Sequence, residues 1–471
     1  MCLFNWETEL DNPQRRSIFM QSARYRNGIL DYVDLPLREP PTGLMLLAAV
    51  LESKGYSVEI VDATLLENVD DFLENNLQKF RVIGFTGLTN TFPFIEKIIQ
   101  RTNQINPEIY IILGGPHASF QYEEILQSLP EVDLICIGEA ENTFPWVVER
   151  LLHRPAIDFL YDAQSESLEH TFKSRNQINA ILTATDDILA GVAYRNAQSE
   201  IIYTGFPLAT ELITLPLPAR HLISRIYSVA DILVNRGCPN RCSFCSRTRL
   251  FPKMRLRSLE SVLEELDYVL SCGNYRFINF YDNINIKTAY FERFLKELIA
   301  RPHMLPWGAE LRSDVISLEQ ADLLKQANCQ VVATGIESAS DIVLKTNFKF
   351  QNLKAVRNGI ENLKSAEIAV QAYFVIGLPG DTPQEFAKTL SFLESLPLQP
   401  GVDKVNFFVA TPYPGCDLRM NPEKYHISLL DKPYTTYNCR EIQLTTDTLG
   451  VSDIKKMIEQ AKQLKKKLVL N

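Results

Sequence analysis

The stretch NRGCPNRCSFCSRT, residues 235–248, places three of the chain's nine cysteines, Cys238, Cys242 and Cys245, within eight residues. It follows directly on ADILV, an apolar run that reads as a strand, so the thiols fall at a strand's carboxyl end. From there one pattern recurs. Ser258 opens a helix with Leu259, Val262, Leu263, Leu266 and Leu270 on one face, and the next strand, RFINFY, ends at Asp282-Asn283. WGAELR, QVVATGIES, QAYFVIGLPG and VDKVNFFVA continue the alternation. Two of the intervening helices open on Ser317-Leu318-Glu319-Gln320 and Thr382-Pro383-Gln384-Glu385, each with the spacing of a capping box. About six strand–helix units thus fill residues 230–410, with polar residues gathered just after each strand. Units of this kind curl into a full or partial parallel barrel, whose chemistry sits at the carboxyl ends of the strands.

Upstream the alternation is tighter. GLMLLAAVLESKGY carries Leu44, Leu47, Ala48 and Leu51 on one helical face with Gly55 just past its end. SVEIVDA, RVIGFTG, IYIILGG and DLICIGE are apolar runs separated by amphipathic stretches such as TFPFIEKIIQRTNQ, as a parallel sheet covered on both faces requires. Residues 1–152 therefore read as an α/β, doubly wound domain, whose ligands bind beyond the carboxyl ends of its strands. Those ends carry Thr86-Gly87-Leu88, Gly114-Gly115-Pro116-His117 and Gly138-Glu139, which serve equally well as ligand cradles or as tight turns. Residues 153–229 read as a linker holding one hairpin, GVAYRNAQSEIIYTG. Residues 411–471 read as a helical region closing over the barrel mouth, where Tyr413, Tyr434 and Tyr437 can line a pocket.

Composition narrows the function. A formal net charge of -9 argues against a polyanion such as bulk nucleic acid as the partner, and the substrate expected is a small molecule. No apolar run approaches the ~18 residues a membrane span needs, and the start of the chain has no secretory pattern, so a cytoplasmic location is expected. An odd number of scattered cysteines favours metal or redox use over disulfides. Three thiolates at this spacing can ligate three irons of a cubane cluster and leave the fourth iron open. A zinc site needs four ligands, and the nearest further candidates, His221 and Cys272, are poorly spaced.

With Phe244 just before the last cysteine, Cys238-x3-Cys242-x2-Cys245 resembles the signature of the radical S-adenosylmethionine (radical SAM) enzymes. FYDNINI, WGAELRSD, GIES and GLPGDT resemble that group's later motifs, and PPTGLMLLAAVLESKGYSVEIVDA, GFTGLT, LGGPHAS and IGEAENTF resemble the cobalamin-binding domain that precedes the barrel in one subclass. The likeness covers about residues 40–425. It implies a Rossmann-like domain followed by a partial (β/α)6 TIM-like barrel. It also implies a [4Fe-4S] cluster on Cys238, Cys242 and Cys245, and contacts to S-adenosylmethionine from Phe244, Asn283, Glu310, Arg312, Glu337 and Ser338. Cobalamin would be contacted by Thr86, Gly87, Leu88, Gly115, Pro116, His117, Gly138 and Glu139. The activity implied is cleavage of S-adenosylmethionine to a 5'-deoxyadenosyl radical and methylation of an unactivated carbon, with an electron donor such as flavodoxin or ferredoxin. The alternative is a non-methylating rearrangement, dehydration, cyclisation or epimerisation. A radical methylthiotransferase would need a second cysteine cluster upstream, where the sequence has just Cys2 and Cys136. The Asp-x-His-x-x-Gly motif that supplies a histidine to cobalt is absent around His117, so cobalamin is expected without a histidine ligand. Members open on an apolar strand, a part that falls here to SIFMQSARY, residues 17–25.

Overall fold

The computed structural model describes residues 2–6, 40–152, 178, 182, 189–223, 227–281 and 284–470. They form two compact units, one holding residues 2–6 and 41–223 and the other those from 227 on.

The first unit is built on a seven-stranded sheet, in the order β2-β1-β3-β4-β5-β6-β7. β1 (Cys2–Trp6), β2 (Glu59–Asp62), β3 (Val82–Gly87), β4 (Tyr110–Gly114) and β5 (Leu134–Cys136) are parallel; β6 (Val192–Arg195) and β7 (Ile201–Tyr203) add on antiparallel. The uninterrupted apolar strands are explained by two cores. Ile83, Phe85, Ile111, Leu113 and Ile135 meet the helices Val69–Asn76, Phe92–Ile105 and Pro116–Ser128 on one face. Val82, Tyr110, Ile112, Leu134 and Cys136 meet Thr42–Ser53 and Thr143–Leu152 on the other. Burying both faces leaves no polar side for a strand to show, hence the runs without alternation.

Two expectations are corrected here. The first strand is Cys2–Trp6, paired between β2 and β3, whereas residues 17–25 lie outside the described residues. Five residues that include an asparagine are too short to register as a strand by pattern alone. The segment read as a linker is instead part of the domain: its hairpin extends the sheet, and Ala219 donates its N–H to the Met45 carbonyl at 3.0 Å, docking the proline-rich stretch on the first helix.

The second unit contains a six-stranded parallel sheet. β8 (Val229–Leu233) leads into the short strand β9 (Asn235–Arg236), which pairs with β10 (Arg255–Leu256) across the cysteine loop. β11 (Phe277–Tyr281), β12 (Trp307–Glu310), β13 (Cys329–Glu337), β14 (Ala369–Ile376) and β15 (Lys404–Val409) follow, in the order β15-β14-β13-β12-β11-β8. No ladder joins β15 to β8 among the described residues, so the barrel is open, with six strands. Alternate residues separate its faces: Ala230, Ile232, Ile278, Phe280, Val332, Val370 and Phe374 face the helices, whereas Val229, Phe277, Val331, Ala333 and Ala369 fill the lumen.

Ser258, Ser317 and Thr382 cap their helices through the N–H groups of Ser261, Gln320 and Glu385, each at 3.1 Å. The reciprocal half of the two expected capping boxes is spent elsewhere: Gln320 donates to Glu292, and Glu385 takes the Ser340 hydroxyl and Lys388. The final helix, Val451–Leu468, does not cap the mouth. It lies against Pro383–Glu394 and the outer side of β14 and β15, burying Ile454, Met457, Ala461 and Leu464 as the last helix of the barrel wall. The hairpin of β16 (Ile427–Leu429) and β17 (Leu444–Thr446) precedes it.

Candidate functional site

The cysteine loop leaves the barrel through Gly237, whose φ of 86° is open to glycine. A Cβ there would sit 2.7 Å from the Lys253 carbonyl oxygen, so the loop's path depends on the missing side chain. Beyond it the chain is tied down at its centre. Ser243 donates its N–H to the Asn347 carbonyl at 3.0 Å and its hydroxyl to Asn347 Oδ1 at 2.6 Å, while its own carbonyl accepts the Leu418 N–H at 3.0 Å. Asn347 in turn donates to the Pro379 carbonyl at 2.9 Å, joining the loop to the turn after β14. Phe244 packs against the apolar cluster of Val343, Leu378, Cys416 and Leu418 and so anchors the loop.

Burial pushes the Cys242 thiol up to about 12, against the pull of the Lys349 ammonium, and raises Cys245 despite the Arg247 backbone N–H that it accepts. Loading a metal here must therefore displace protons from desolvated thiols, a cost that soft iron–thiolate bonding can meet. Among the described residues no three His, Cys, Asp or Glu side chains converge on one point as ligands of a single ion. A cubane asks for something else, since each thiolate binds a different iron, and three half-buried thiols on a fixed loop, near enough to feel one another's charge, fit it. His221, weighed as a further zinc ligand, pairs with Glu52 in the first unit.

Around the loop stand the residues from the neighbouring strand ends. The Glu310 side chain, at the end of β12, forms no hydrogen bond with a described residue, and burial raises its pKa together with the nearby Glu337 charge, while Arg247 and Lys349 oppose the rise. Glu337 ends β13 at a register shift with φ 63° and pairs with Lys349 at 2.9 Å. Burial works against the Lys349 charge, yet Glu337 and the Cys242 sulfur outweigh it and hold its pKa above the ordinary value. Arg312 is bound to Asp314 at 2.9 and 2.5 Å, a pairing that raises its pKa. Ser338 turns away from the mouth: it is buried, with its hydroxyl 3.2 Å from that of Thr389 and accepting the Ser340 N–H. Asn283 lies outside the described residues; Asn285, unnoticed in the sequence, exchanges hydrogen bonds with the Arg312 backbone at 3.1 and 2.8 Å. Tyr413, Tyr434 and Tyr437 pack on one another, with the Tyr413 hydroxyl on the Tyr437 carbonyl and Arg419 on the Tyr437 hydroxyl, so their ordering is internal. Asn240, Arg247, Asn347 and Lys349 were also missed, because no spacing rule marks a single polar residue in a loop.

In the first unit, Thr86 and Gly87 end β3 with Leu88 just past it, and Gly115, Pro116 and His117 turn from β4 into its helix. Gly115, at φ 91°, comes so close to β3 that a Cβ would lie 2.5 Å from Thr86 Oγ1. Leu88 and Thr91 close the adjoining turn. His117 is buried, 4.4 Å from the Phe92 ring and 3.3 Å from Thr89 Oγ1, so its imidazole belongs to the core. Gly138 and Glu139 are occupied by the chain itself. Phe206 and Pro207 fill the space a Gly138 side chain would take, and Glu139 accepts the Thr210 N–H at 3.1 Å.

Comparison with known proteins matches residues 32–148 to the B12 binding domain family and residues 232–393 to the radical SAM superfamily, one match in each unit. The chain is a radical SAM enzyme with a B12-binding domain. This radical SAM enzyme is 26% identical over 393 residues to a methyltransferase of Pyrococcus horikoshii, PH0819, spanning 80% of this chain and 77% of that one. It is 27% identical to the anaerobic magnesium-protoporphyrin IX monomethyl ester cyclase of Rubrivivax gelatinosus, spanning 80% of this chain and 65% of the relative. Its fold superimposes on the radical SAM methyltransferase TsrM of Kitasatospora setae with a TM-score of 0.68, at 15% identity, over 98% of this chain and 88% of that one. The cofactors of such an enzyme are a [4Fe-4S] cluster, S-adenosylmethionine and cobalamin. No helix among the described residues is long and apolar enough to cross a membrane.

Proposed function

We propose that this radical SAM enzyme methylates an unactivated carbon of a small molecule. One observation carries the reading: a fixed loop of three half-buried thiols just after the first barrel strand, in a chain whose other unit matches the B12 binding domain. When bound, the three cofactors supply reductive cleavage of S-adenosylmethionine and a methyl group carried on cobalt.

The residues hold and arrange these groups. Cys238, Cys242 and Cys245 are the cluster ligands, and Ser243, Asn347 and Phe244 keep them in place. Glu310 offers an acceptor without a side-chain hydrogen bond among the described residues, suited to the amino group or a ribose hydroxyl of S-adenosylmethionine; Glu337, held by Lys349, offers a second. Thr86, Gly87, Leu88, Gly115 and Pro116 form the cobalamin face of the first unit. His117 is buried against Phe92 and Thr89, so in this reading cobalt receives no imidazole from this position. The electron comes from a small reduced protein such as flavodoxin or ferredoxin.

The test is the cobalamin content of protein purified without air from cobalamin-supplied cells and reconstituted with iron and sulfide. About one cobalamin per chain, without a histidine on cobalt, supports methyl transfer. An intact cluster that cleaves S-adenosylmethionine in protein retaining no cobalamin overturns it in favour of the second reading, a ring-forming or rearranging reaction, for which the 27% identity to the Rubrivivax gelatinosus cyclase speaks.

A further inference from the structure

The sequence motif assigned Arg312 to S-adenosylmethionine, but its guanidinium is already engaged. Nε and Nη2 hold Asp314, Nη2 also donates to the Phe350 carbonyl at 2.8 Å, and Nη1 donates to Asn240 Oδ1 at 3.3 Å. Four of its five N–H groups are thereby taken. The fourth contact matters most. A side-chain amide can be turned either way, and its partners decide which end faces where. Arg312 has donors and nothing else, so the end of Asn240 facing it must be the oxygen. The NH₂ end then faces the Cys238 sulfur, 3.6 Å away.

We propose that Arg312 is a positioning residue for the cluster: by fixing the Asn240 amide it aims an N–H at Cys238 Sγ, and that hydrogen bond raises the cluster's reduction potential. The proposal rests on the reading of the three cysteines as cluster ligands. Reduction adds an electron that is shared with the sulfurs, and a donor at a ligating sulfur stabilises that extra charge. Without Arg312 the amide can turn over and bring its oxygen to the thiolate, where it repels. Asp314, Phe350 and the Asn285 contacts to the Arg312 backbone keep the guanidinium from following a bound ligand.

The test is a redox titration of the anaerobically reconstituted full chain, followed by the electron paramagnetic resonance of the reduced cluster, without and then with S-adenosylmethionine. Asn240→Leu removes the donor without changing charge. The expected result is iron and sulfide content equal to wild type and a midpoint potential shifted to more negative values before any S-adenosylmethionine is added. Arg312→Gln should shift it the same way, and the double variant should shift it less than the two single shifts combined. An unchanged potential in Asn240→Leu overturns the proposal, even if Arg312→Gln fails to fold. So does an Arg312→Gln protein with unchanged potential and weakened S-adenosylmethionine binding, which returns Arg312 to the cofactor. Wild-type protein that takes up no cluster overturns both this proposal and the functional reading beneath it.

Discussion

Asn347→Ala should destabilise the second unit severely, although residue 347 is neither a cluster ligand nor part of any motif. The side chain is fully buried. Truncation deprives the Ser243 hydroxyl of its acceptor at 2.6 Å and the Pro379 carbonyl of its donor at 2.9 Å, whereas the Val343 carbonyl keeps the Asn347 backbone N–H at 3.1 Å. Two buried polar groups are left unpaired, each costing about 1–3 kcal/mol, so the expected loss is about 2–6 kcal/mol. Ser243→Ala strands just the Asn347 oxygen and should cost about 1–3 kcal/mol. Because the two substitutions remove the same bond, the double variant should cost less than the sum, by about 1–2 kcal/mol. Urea unfolding of the apo chain measures all four corners of this cycle, and iron uptake on reconstitution should fall in step with stability. A cost below about 0.5 kcal/mol for Asn347→Ala, or strict additivity, would refute the argument that this asparagine holds the cysteine loop to the barrel.

Further outcomes are expected. Replacing any one of Cys238, Cys242 or Cys245 by alanine should abolish the brown colour and most of the bound iron after reconstitution, whereas Cys272→Ala, at an exposed helix end, should change neither. Gly237→Ala combines a left-handed backbone with a 2.7 Å approach to Lys253 and should lower iron content by displacing the loop. His117→Ala should leave the absorption spectrum of bound cobalamin unchanged, because the ring is buried beside Phe92; a changed spectrum would make it a cobalt ligand after all. Burial lifts the Asp381 carboxyl from an ordinary 3.8 to about 7, against the Gly377 and Thr382 N–H groups that favour its charge. The folded chain holds this proton more tightly than the unfolded one, so the contribution is full below about pH 4 and is lost as pH rises through about 7. Urea midpoints should decline across that window in wild type and decline less in Asp381→Asn.

The barrel was legible because its signals are local and repeated: Ser258, Ser317 and Thr382 each mark a helix start, and each strand ends in a polar cluster. The place of the three cysteines, in a loop just after a barrel strand, was legible because they follow directly on the apolar run ADILV. Cys2–Trp6 escaped because five residues give no period to read, and its place beside β3 depends on pairing across about 80 residues. The linker was misread because Pro218 and Ala219 look alike in a free tether and in a segment docked on Met45. Gly138 and Glu139 show the limit of motif reading: the sequence marks a glycine that needs space, but Phe206 and Pro207, far along the chain, are what fill it. Ser338 and Arg312 stand where the motif puts them, yet their hydrogen bonds go to the protein.

A closed barrel has its girth set by strand number and stagger. The six-stranded sheet here has no such constraint, since β8 and β15 do not pair among the described residues, and the edge of β15 is clasped instead by one hydrogen bond from Val409 N–H to the Cys439 carbonyl at 2.7 Å. Its curvature is therefore not imposed by closure and rests on the five strand pairings from β15 to β8 and on the helices packed outside them.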